Sequence, residues 1–240
     1  MKATMIVWNI YARCILFILM SIYLVPMIII LLLPARWGFE SKYYYWMEYS
    51  FCWLLFKLTF FPVTYSGQHN MPGEPAVIVA NHQSSLDIPL LVGVLQRYPH
   101  LWLALNSLMK SPILRFILPK IAVLVDTSSP LTGMRTLIAA IKKVNGKRCH
   151  VVIFPEGGRY YDSKIHDFFA GFVILAKKMN RPIVPVFIKG ANVVYPPNSF
   201  WVTRAPITIT VGEPMRMEEG EPDEVFHDRV HQWFIEQNKE

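Results

Sequence analysis

The sequence has few charged residues and few cysteines for its length. Only 17% of its 240 residues are charged, whereas a typical soluble domain has roughly a quarter. The three cysteines, Cys14, Cys52 and Cys149, lie far apart and form no CxxC pair. A disulfide framework and a cysteine-ligated zinc site are therefore excluded, and a reducing compartment is favoured. The length allows one sizeable α/β domain with an appendage.

Motifs that mark several common enzyme classes are also missing. The chain has no GxSxG, Walker, GxGxxG or HExxH motif, which argues against serine hydrolases, P-loop enzymes, dinucleotide enzymes and zinc proteases. His227 and His231 are four residues apart in "HDRVH", but this segment lacks the glutamate of a zinc protease and fits a solvated helix face. No metal and no cofactor are predicted.

The net charge of +7 is unevenly distributed. Basic residues exceed acidic ones by 3 in residues 1–61 and by 10 in residues 62–212, whereas acidic residues are in excess by 6 in residues 213–240. A basic body predicts contact with an anionic membrane or with phosphorylated ligands. Nucleic acid is the competing interpretation, but no RNP motif, zinc finger or basic helix supports it.

The N-terminal segment contains a long apolar run. Residues 14–34 have no charged side chain and reach the roughly 20 residues that span a bilayer core. Pro26 is expected to kink this helix, which would let it dip into one leaflet instead of crossing. A cleaved signal peptide is the alternative, although the run is long and no small-residue cleavage site follows it.

Ten of the nineteen residues from 43 to 61 are aromatic, a composition typical of the headgroup level of a membrane. We therefore predict two helices, joined near residues 37–40, that form a membrane-seated hairpin. Residues 1–62 would be the membrane anchor and residues 63–240 an α/β domain with an acidic C-terminal helix. A hairpin places that domain on the side of the N-terminus, which we take as the cytoplasmic side of the inner membrane. Two buried helices of a soluble core are the alternative.

The body alternates short apolar runs with helical periodicity. Predicted strands cover residues 76–80, 101–105, 121–125, 150–154, 183–188 and 207–211, and predicted helices cover residues 87–96, 107–117, 131–145, 167–180 and 222–237. This alternation predicts an α/β fold with a largely parallel sheet flanked by helices.

The segment "VIVANHQSSLDIP" brings His82 and Asp87 just beyond a predicted buried strand. Ligands bind beyond the carboxyl ends of strands in such sheets. A carboxylate bonded to one imidazole nitrogen raises the basicity of the other, so the pair is a candidate general base. Taken alone, the spacing favours a plainer interpretation, a polar turn in which Asp87 caps the next helix.

A second strand opens into a polar loop at "VVIFPEGGRYYD". The backbone N–H groups around Gly157 and Gly158 favour an anion, and Arg159 suits a phosphate. Glu156 could hold the loop or bind a ligand hydroxyl. An ordinary glycine-rich turn with a solvated arginine is the alternative. Because no enzyme nucleophile is evident beside the candidate base, a substrate hydroxyl is expected to be the nucleophile.

These segments resemble the glycerolipid acyltransferases typified by 1-acylglycerol-3-phosphate acyltransferase. The family motif NHx4D matches Asn81, His82 and Asp87, and FPEGTR matches residues 154–159 with Gly158 in place of threonine. The family's proline-containing motif resembles "IVPV" at residues 183–186, and the resemblance covers residues 65–212.

The resemblance implies an acyl transfer in which His82, positioned by Asp87, deprotonates the acceptor hydroxyl. The donor would be acyl-CoA or acyl-carrier protein. Glu156, Gly157, Gly158, Arg159 and the neighbouring Asn81 are the implied substrate-binding residues. Lysophospholipid, acyl thioester, membrane lipid and acyl-carrier protein are the implied partners.

Two departures from the family pattern bear on the acceptor. Thr127 stands where the family has an arginine in the acceptor site, and Ala170 stands where a lysine is usual. Lysophosphatidic acid is the first choice of acceptor, with another lysolipid as the alternative. A water-using acyl-thioester hydrolase and a non-catalytic membrane-binding protein also stay open.

Overall fold

The computed structural model describes residues 3–34, 40–126, 129–144, 146–160, 162–196 and 199–239. Within these ranges a mixed seven-stranded sheet lies between two layers of helices. The strands are β1 (Val63–Ser66), β2 (Val77–Ala80), β3 (His100–Leu105), β4 (Ala122–Val125), β5 (His150–Ile153), β6 (Ile183–Lys189) and β7 (Ile207–Val211). The helices are α1 (Ala3–Leu32), α2 (Lys42–Leu58), α3 (Asp87–Leu95), α4 (Pro112–Ile121), α5 (Pro130–Val144), α6 (Gly171–Met179), α7 (Ala191–Val194) and α8 (Asp223–Lys239).

The sheet is mostly parallel, as the sequence predicts. Its strand order is β1-β7-β6-β2-β5-β3-β4. The five strands from β6 to β4 run in one direction, and β7 pairs antiparallel with β6 while β1 runs parallel to β7. The predicted α/β fold class is therefore confirmed, with an antiparallel edge that the apolar pattern did not indicate.

The central strands are apolar along their whole length because helices cover both faces of the sheet. In β2 alternate residues point to opposite faces. Ile78 packs with α2, α3 and α4 on what we call the first face. Val77 and Val79 pack with α5, α6 and α8 on the second face. All three side chains are fully buried.

The acidic C-terminal helix packs on the body. Phe226, Val230 and Phe234 of α8 are almost completely buried in the core of the second face. Their spacing of four residues aligns them along one side of the helix. The acidic residues therefore remain on the solvent side, where they require no buried partner.

The two N-terminal helices pack together and against the α/β body. Cys52 and Phe56 of α2 are buried in the core of the first face. Helix α1 is joined to the body by polar side chains. The Asn9 amide donates to Val202 O (2.8 Å) and accepts from Val202 N (3.0 Å), and Arg13 donates to Phe200 O.

Helix α1 is long and apolar enough to cross a membrane. The candidate span covers Thr4–Ile30, has a mean hydropathy of 2.4, and has only 6% of its most apolar window buried inside the protein. The helix continues through Pro26. Among its large apolar side chains, Phe17 is 74% exposed and Val25 is 60% exposed. A bilayer would remove this apolar surface from water.

Several predicted boundaries require correction. The apolar pattern does not predict strand β1, because "VTYS" alternates between half-buried and exposed residues and contains no apolar run. The predicted helix 107–117 is a 3₁₀ helix, Asn106–Lys110, followed by α4. The helix predicted to begin at residue 167 begins at Gly171, because Phe169 N bonds to Pro155 O and holds the preceding segment as a loop. The predicted link near residues 37–40 lies mostly outside the described residues, and the domain boundary at residue 62 stays a prediction.

We expect Asn9→Leu to destabilise the folded protein by about 1–3 kcal/mol, because the half-buried N–H and C=O of Val202 lose the partner that Asn9 provides. Thermal unfolding in detergent measures this change. Ser21→Ala is the matched control, since Ser21 is exposed and bonds only to Phe17 O of its own helix. Equal unfolding temperatures for the two variants would contradict the importance of the Asn9 contact.

Candidate active site

The candidate site lies where the direction of the chain connections reverses. β2 and β5 are parallel neighbours. The chain leaves β2 toward α3 on the first face and leaves β5 toward α6 on the second face. The two loops therefore diverge and open a crevice at the carboxyl ends of the strands, the usual ligand position in such sheets.

His82 and Asp87 are brought into direct contact in this crevice. Nδ1 of His82 is 2.8 Å from Oδ2 of Asp87. Asp87 is fully buried, whereas 16% of the His82 side chain is exposed. The imidazole stacks on Phe154, with 4.0 Å between ring centroids. Nε2 of His82 bonds to no residue within the described ranges, and His82 lines the cavity that opens from the crevice.

Asp87 is a positioning residue and does not cap the following helix. Its Oδ2 accepts from the backbone N–H groups of Gln83 (2.6 Å) and Ser84 (2.8 Å), as well as from His82. Both N–H donors precede α3, whose first residue is Asp87. The carboxylate therefore folds back onto its own turn. Three donors on one oxygen fix the carboxylate and orient the imidazole.

The loops after β2 and β5 are bonded to each other through the candidate histidine. The backbone N–H of His82 donates to Glu156 Oε1 (2.9 Å), and His82 O accepts from Tyr160 N (3.3 Å). Asn81 is fully buried, and its amide both donates to and accepts from the backbone of Ile188 in β6. This arrangement favours a positioning role for Asn81, whose substrate-binding role stays a prediction.

Glu156 is a buried carboxyl group. Only 2% of it is exposed, and its Oε2 has no hydrogen-bond partner among the described residues. Burial raises the pKa of Glu156 from 4.5 to about 7, against the lowering effect of the His82 and His166 backbone N–H groups. Glu156 therefore joins the loop after β5 to the backbone of His82 and does not itself line the cavity.

The glycine pair has two different roles. Gly157 has a φ of 68°, and a Cβ there would lie 2.7 Å from the ring of Phe169, so this position requires glycine. A Cβ on Gly158 would meet only Tyr160, at 3.8 Å, so the threonine of the family motif would fit. The N–H groups of Gly158 and Arg159 donate to no described residue. Arg159 is exposed and donates to Ser85 Oγ (2.5 Å).

An apolar cavity of about 870 Å³ extends from this polar mouth. His82, Gly157, Gly158 and Arg159 line it, and most of its other lining side chains are apolar. Arg159 is the one lysine or arginine among the described residues of its wall. The sequence indicated the polar mouth but neither the size nor the course of the cavity, because its walls come from five α-helices and three strands.

The departures from the family pattern affect this wall. Thr127 lies outside the described residues. Ala170 lines the cavity, where a lysine would have added charge. Two other basic residues that could replace the missing arginine, Lys110 and Arg135, are exposed and do not line the cavity. Lys120 lines a separate cavity of about 260 Å³ near His100, at the opposite ends of the strands.

A family model for acyltransferases matches residues 62–189 of the chain. The chain belongs to the acyltransferase family. The matched region contains the loops after β2 and β5 and the strands from β2 to β6, whereas α2 lies outside it. The resemblance noted in the sequence is confirmed.

Curated relatives agree with this assignment. The chain is 25% identical over 236 residues to a 1-acyl-sn-glycerol-3-phosphate acyltransferase of Cocos nucifera, covering 94% of this chain and 73% of the relative. It is 24% identical over 209 residues to the enzyme of that name from Pseudomonas aeruginosa, covering 85% and 79%. Other relatives are matched over less of their length, such as 40% of the Limnanthes douglasii enzyme. The chain is thus an acyltransferase enzyme.

A solved structure shares the fold. The crystal structure of the 1-acyl-sn-glycerophosphate (LPA) acyltransferase PlsC from Thermotoga maritima superposes with a TM-score of 0.75 at 22% identity. The match covers 98% of this chain and 95% of the other. It includes the N-terminal helices as well as the sheet, since almost the whole chain is aligned.

We expect Glu156→Gln to change how stability depends on pH. A carboxyl whose pKa is raised by folding stabilises the protein when protonated, and this contribution is complete below about pH 4.5 and lost as pH rises through about 7. Glutamine keeps an acceptor for His82 N–H but cannot ionise. The wild type therefore loses this contribution between about pH 4 and about pH 8. Over that range the free energy of unfolding of the variant should rise by roughly 3 kcal/mol relative to that of the wild type.

Denaturant unfolding in detergent across this pH range measures the difference. Glu224→Gln is the control, because Glu224 is an exposed carboxylate of α8. An unchanged pH dependence in Glu156→Gln would show that the buried carboxyl is not the titrating group.

Proposed function

We propose that this acyltransferase moves a fatty acyl group from acyl-CoA or acyl-carrier protein to the free hydroxyl of a lysophospholipid. The proposed acceptor is 1-acylglycerol-3-phosphate, which gives phosphatidic acid. The observation that carries the proposal is the His82–Asp87 pair, whose free nitrogen faces an apolar cavity beside Arg159. The names of the relatives support the same reaction.

The chemistry follows from the orientation of the imidazole. His82 Nδ1–H donates to the Asp87 carboxylate, so Nε2 carries the lone pair. Nε2 takes the proton of the acceptor hydroxyl while the hydroxyl oxygen attacks the thioester carbonyl carbon. The carbon–sulfur bond then breaks, and the departing thiolate takes the proton from the imidazolium. Asp87 stabilises that imidazolium throughout.

The acyl chain of the donor is held by the apolar cavity. The His82 ring stacks on Phe154, and Phe154 stacks on Trp102 at 6.3 Å. These three rings line the cavity in a row that leads away from the reacting nitrogen. Burying a chain against such a wall contributes about 0.8 kcal/mol per methylene.

The phosphate of the acceptor is held at the mouth of the cavity. Arg159 offers a planar guanidinium beside Ser85. The N–H groups of Gly158 and Arg159, which donate to no described residue, add backbone donors. Gly158 leaves room for the anion, since a Cβ there would meet only Tyr160. Arg159 and the N–H of Gly158 thus bind the phosphate, whereas Gly157 and Glu156 keep the loop in place.

The same proposal includes attachment to a membrane. The exposed apolar side of α1 and exposed aromatic residues of α2, among them Tyr43, Trp46 and Trp53, match a lipid environment. A basic body next to this surface favours anionic headgroups. We propose the cytoplasmic side of the inner membrane as the location of the α/β body.

We expect His82→Ala to lower turnover by roughly 10²–10⁴-fold, the usual share of a general base. The measurement is thiol release from long-chain acyl-CoA by the protein in detergent, with lysophosphatidic acid, with other lysolipids and without acceptor. His69→Ala is the control, because His69 is exposed on a 3₁₀ helix remote from the motif. Undiminished turnover in His82→Ala would end the mechanism.

The acceptor series separates the other functions. Stimulation by lysophosphatidic acid supports the proposed acceptor, and stimulation only by another lysolipid changes the headgroup but keeps the chemistry. Release without acceptor identifies a thioester hydrolase. Silence with acyl-CoA and with acyl-carrier protein donors would favour a membrane-binding protein without catalysis.

We expect Arg159→Gln to raise the KM for the acceptor by roughly 10–100-fold, the loss of a hydrogen bond to a charged group. The KM for the acyl donor should stay unchanged. Arg135→Gln, an exposed arginine of α5 outside the cavity wall, serves as control. A rise confined to the donor KM would place the donor's phosphates, and not the acceptor's, at Arg159.

A further inference from the structure

The apolar cavity is lined from both faces of the sheet. Trp102 and Leu103 are consecutive residues of β3, so their side chains point to opposite faces. Trp102 packs with the core of the first face and Leu103 with the core of the second. Both nevertheless line the same cavity. The cavity therefore passes from one face of the sheet to the other.

A gap between β3 and β5 lets the cavity pass through the sheet. Pairing between β3 and β5 extends only from His100–His150 to Trp102–Val152. The next residue of β5, Ile153, still pairs with Val79 of β2, while β3 continues to Leu105 paired with β4 alone. The strands thus separate at their carboxyl ends. The cavity wall contains residues 103–105 on one side of this gap and residues 153–155 on the other.

The passage divides the cavity into two arms. The first arm lies on the first face and is lined by Trp102, Ala104, Leu118 and Phe154, together with Ile121 at the end of α4. The second arm lies on the second face and is lined by Leu103, Leu137, Ile153 and Ile174, together with Gly133 of α5. All ten lining residues except Gly133 have apolar side chains, so each arm suits a hydrocarbon chain.

We propose that the two arms bind two different hydrocarbon chains: the donor's acyl chain in the first arm and the acceptor lysolipid's own acyl chain in the second. This inference rests on the proposed acyl transfer, which brings two lipid substrates to one imidazole. The acceptor class is then a lysolipid recognised by its chain as well as by its phosphate. A hydroxyl acceptor without a chain is a poor substrate.

The positions of the polar groups indicate which substrate's chain each arm binds. The first arm continues the ring wall that starts at His82 and Phe154, where the thioester carbonyl must lie. The second arm begins at the loop that offers Arg159 to a phosphate. A Cβ on Gly157 of that loop would touch Phe169, and Phe169 and Gly171 lead along the wall to Ile174. Phosphate and second arm are therefore neighbours.

Two matched substitutions fill one arm each. Gly133→Leu adds a side chain to the second arm, where a Cβ would meet only Asp126 O at 3.6 Å. Ala104→Leu adds three carbons to the first arm from a half-buried position of β3. Ala139→Leu is the control, since Ala139 is exposed on α5 and outside the cavity wall.

The measurement is steady-state transfer with long- and short-chain acyl-CoA and with long- and short-chain 1-acylglycerol-3-phosphate. Displacing about two methylenes from an apolar arm costs about tenfold in affinity. Gly133→Leu should therefore raise the KM for the long-chain acceptor about tenfold and leave the donor and the short-chain acceptor unchanged. Ala104→Leu should raise the KM for the long-chain donor alone.

Normal kinetics toward the unaffected substrate show that each variant is folded. If both substitutions act on the donor alone, one bent chain occupies both arms and the inference is overturned. Unchanged kinetics in both variants also overturn it, and exchanged effects overturn the assignment of the arms. A wild-type protein that transfers to no lysolipid would instead overturn the proposed function, and the inference with it.

Discussion

The site depends on one constraint: the chain leaves β2 and β5 toward opposite faces of the sheet. The helices that follow these two parallel neighbours lie on opposite faces, so the loops diverge beyond the strand ends. The loops are joined by the stacking of His82 on Phe154 and by the bonds from His82 N–H to Glu156 and from Tyr160 N–H to His82 O. These bonds pair backbone groups of both loops. They also hold His82 at the mouth of the cavity, so the joining of the loops and the position of the candidate base have one cause.

The sequence predicts those features that depend on local patterns. The fully apolar strands β2 and β6 predict a sheet covered on both faces, and His82 and Asp87 are recognisable because polar residues follow such a strand directly. Contacts between distant segments are not predictable in this way. The role of Asn81 depends on Ile188, 107 residues away, and no local pattern near Asn81 marks that partner. The cavity depends on where the β3–β5 pairing stops, which is set by the packing of several helices at once.

The N-terminal helices are part of the α/β body as well as the proposed attachment to lipid. Glu48 of α2 lines the cavity, and its Oε2 lies 3.2 Å from Nε2 of buried His100 in β3. Asn9 and Arg13 are polar residues in an otherwise apolar helix, and such residues are costly in lipid unless they are paired. Here their partners are backbone groups of the body. Removing α1 would expose those groups, and removing α2 would open the cavity wall, so both helices contribute to the architecture of the site.

Transfer to a lipid hydroxyl requires that water be kept from the same base. Water is far more concentrated than any lysolipid, and a histidine that activates one hydroxyl can activate another. An apolar cavity excludes water only when it is filled, because an open mouth admits solvent as readily as substrate. A donor chain in one arm leaves the passage between β3 and β5 open to the other arm. An acceptor chain in the second arm closes that passage from the opposite face, and it brings its hydroxyl to Nε2 in the same binding event. In the proposed transfer the acceptor thus supplies the nucleophile and also closes the passage, which would account for a single polar mouth joined to a cavity on two faces of one sheet.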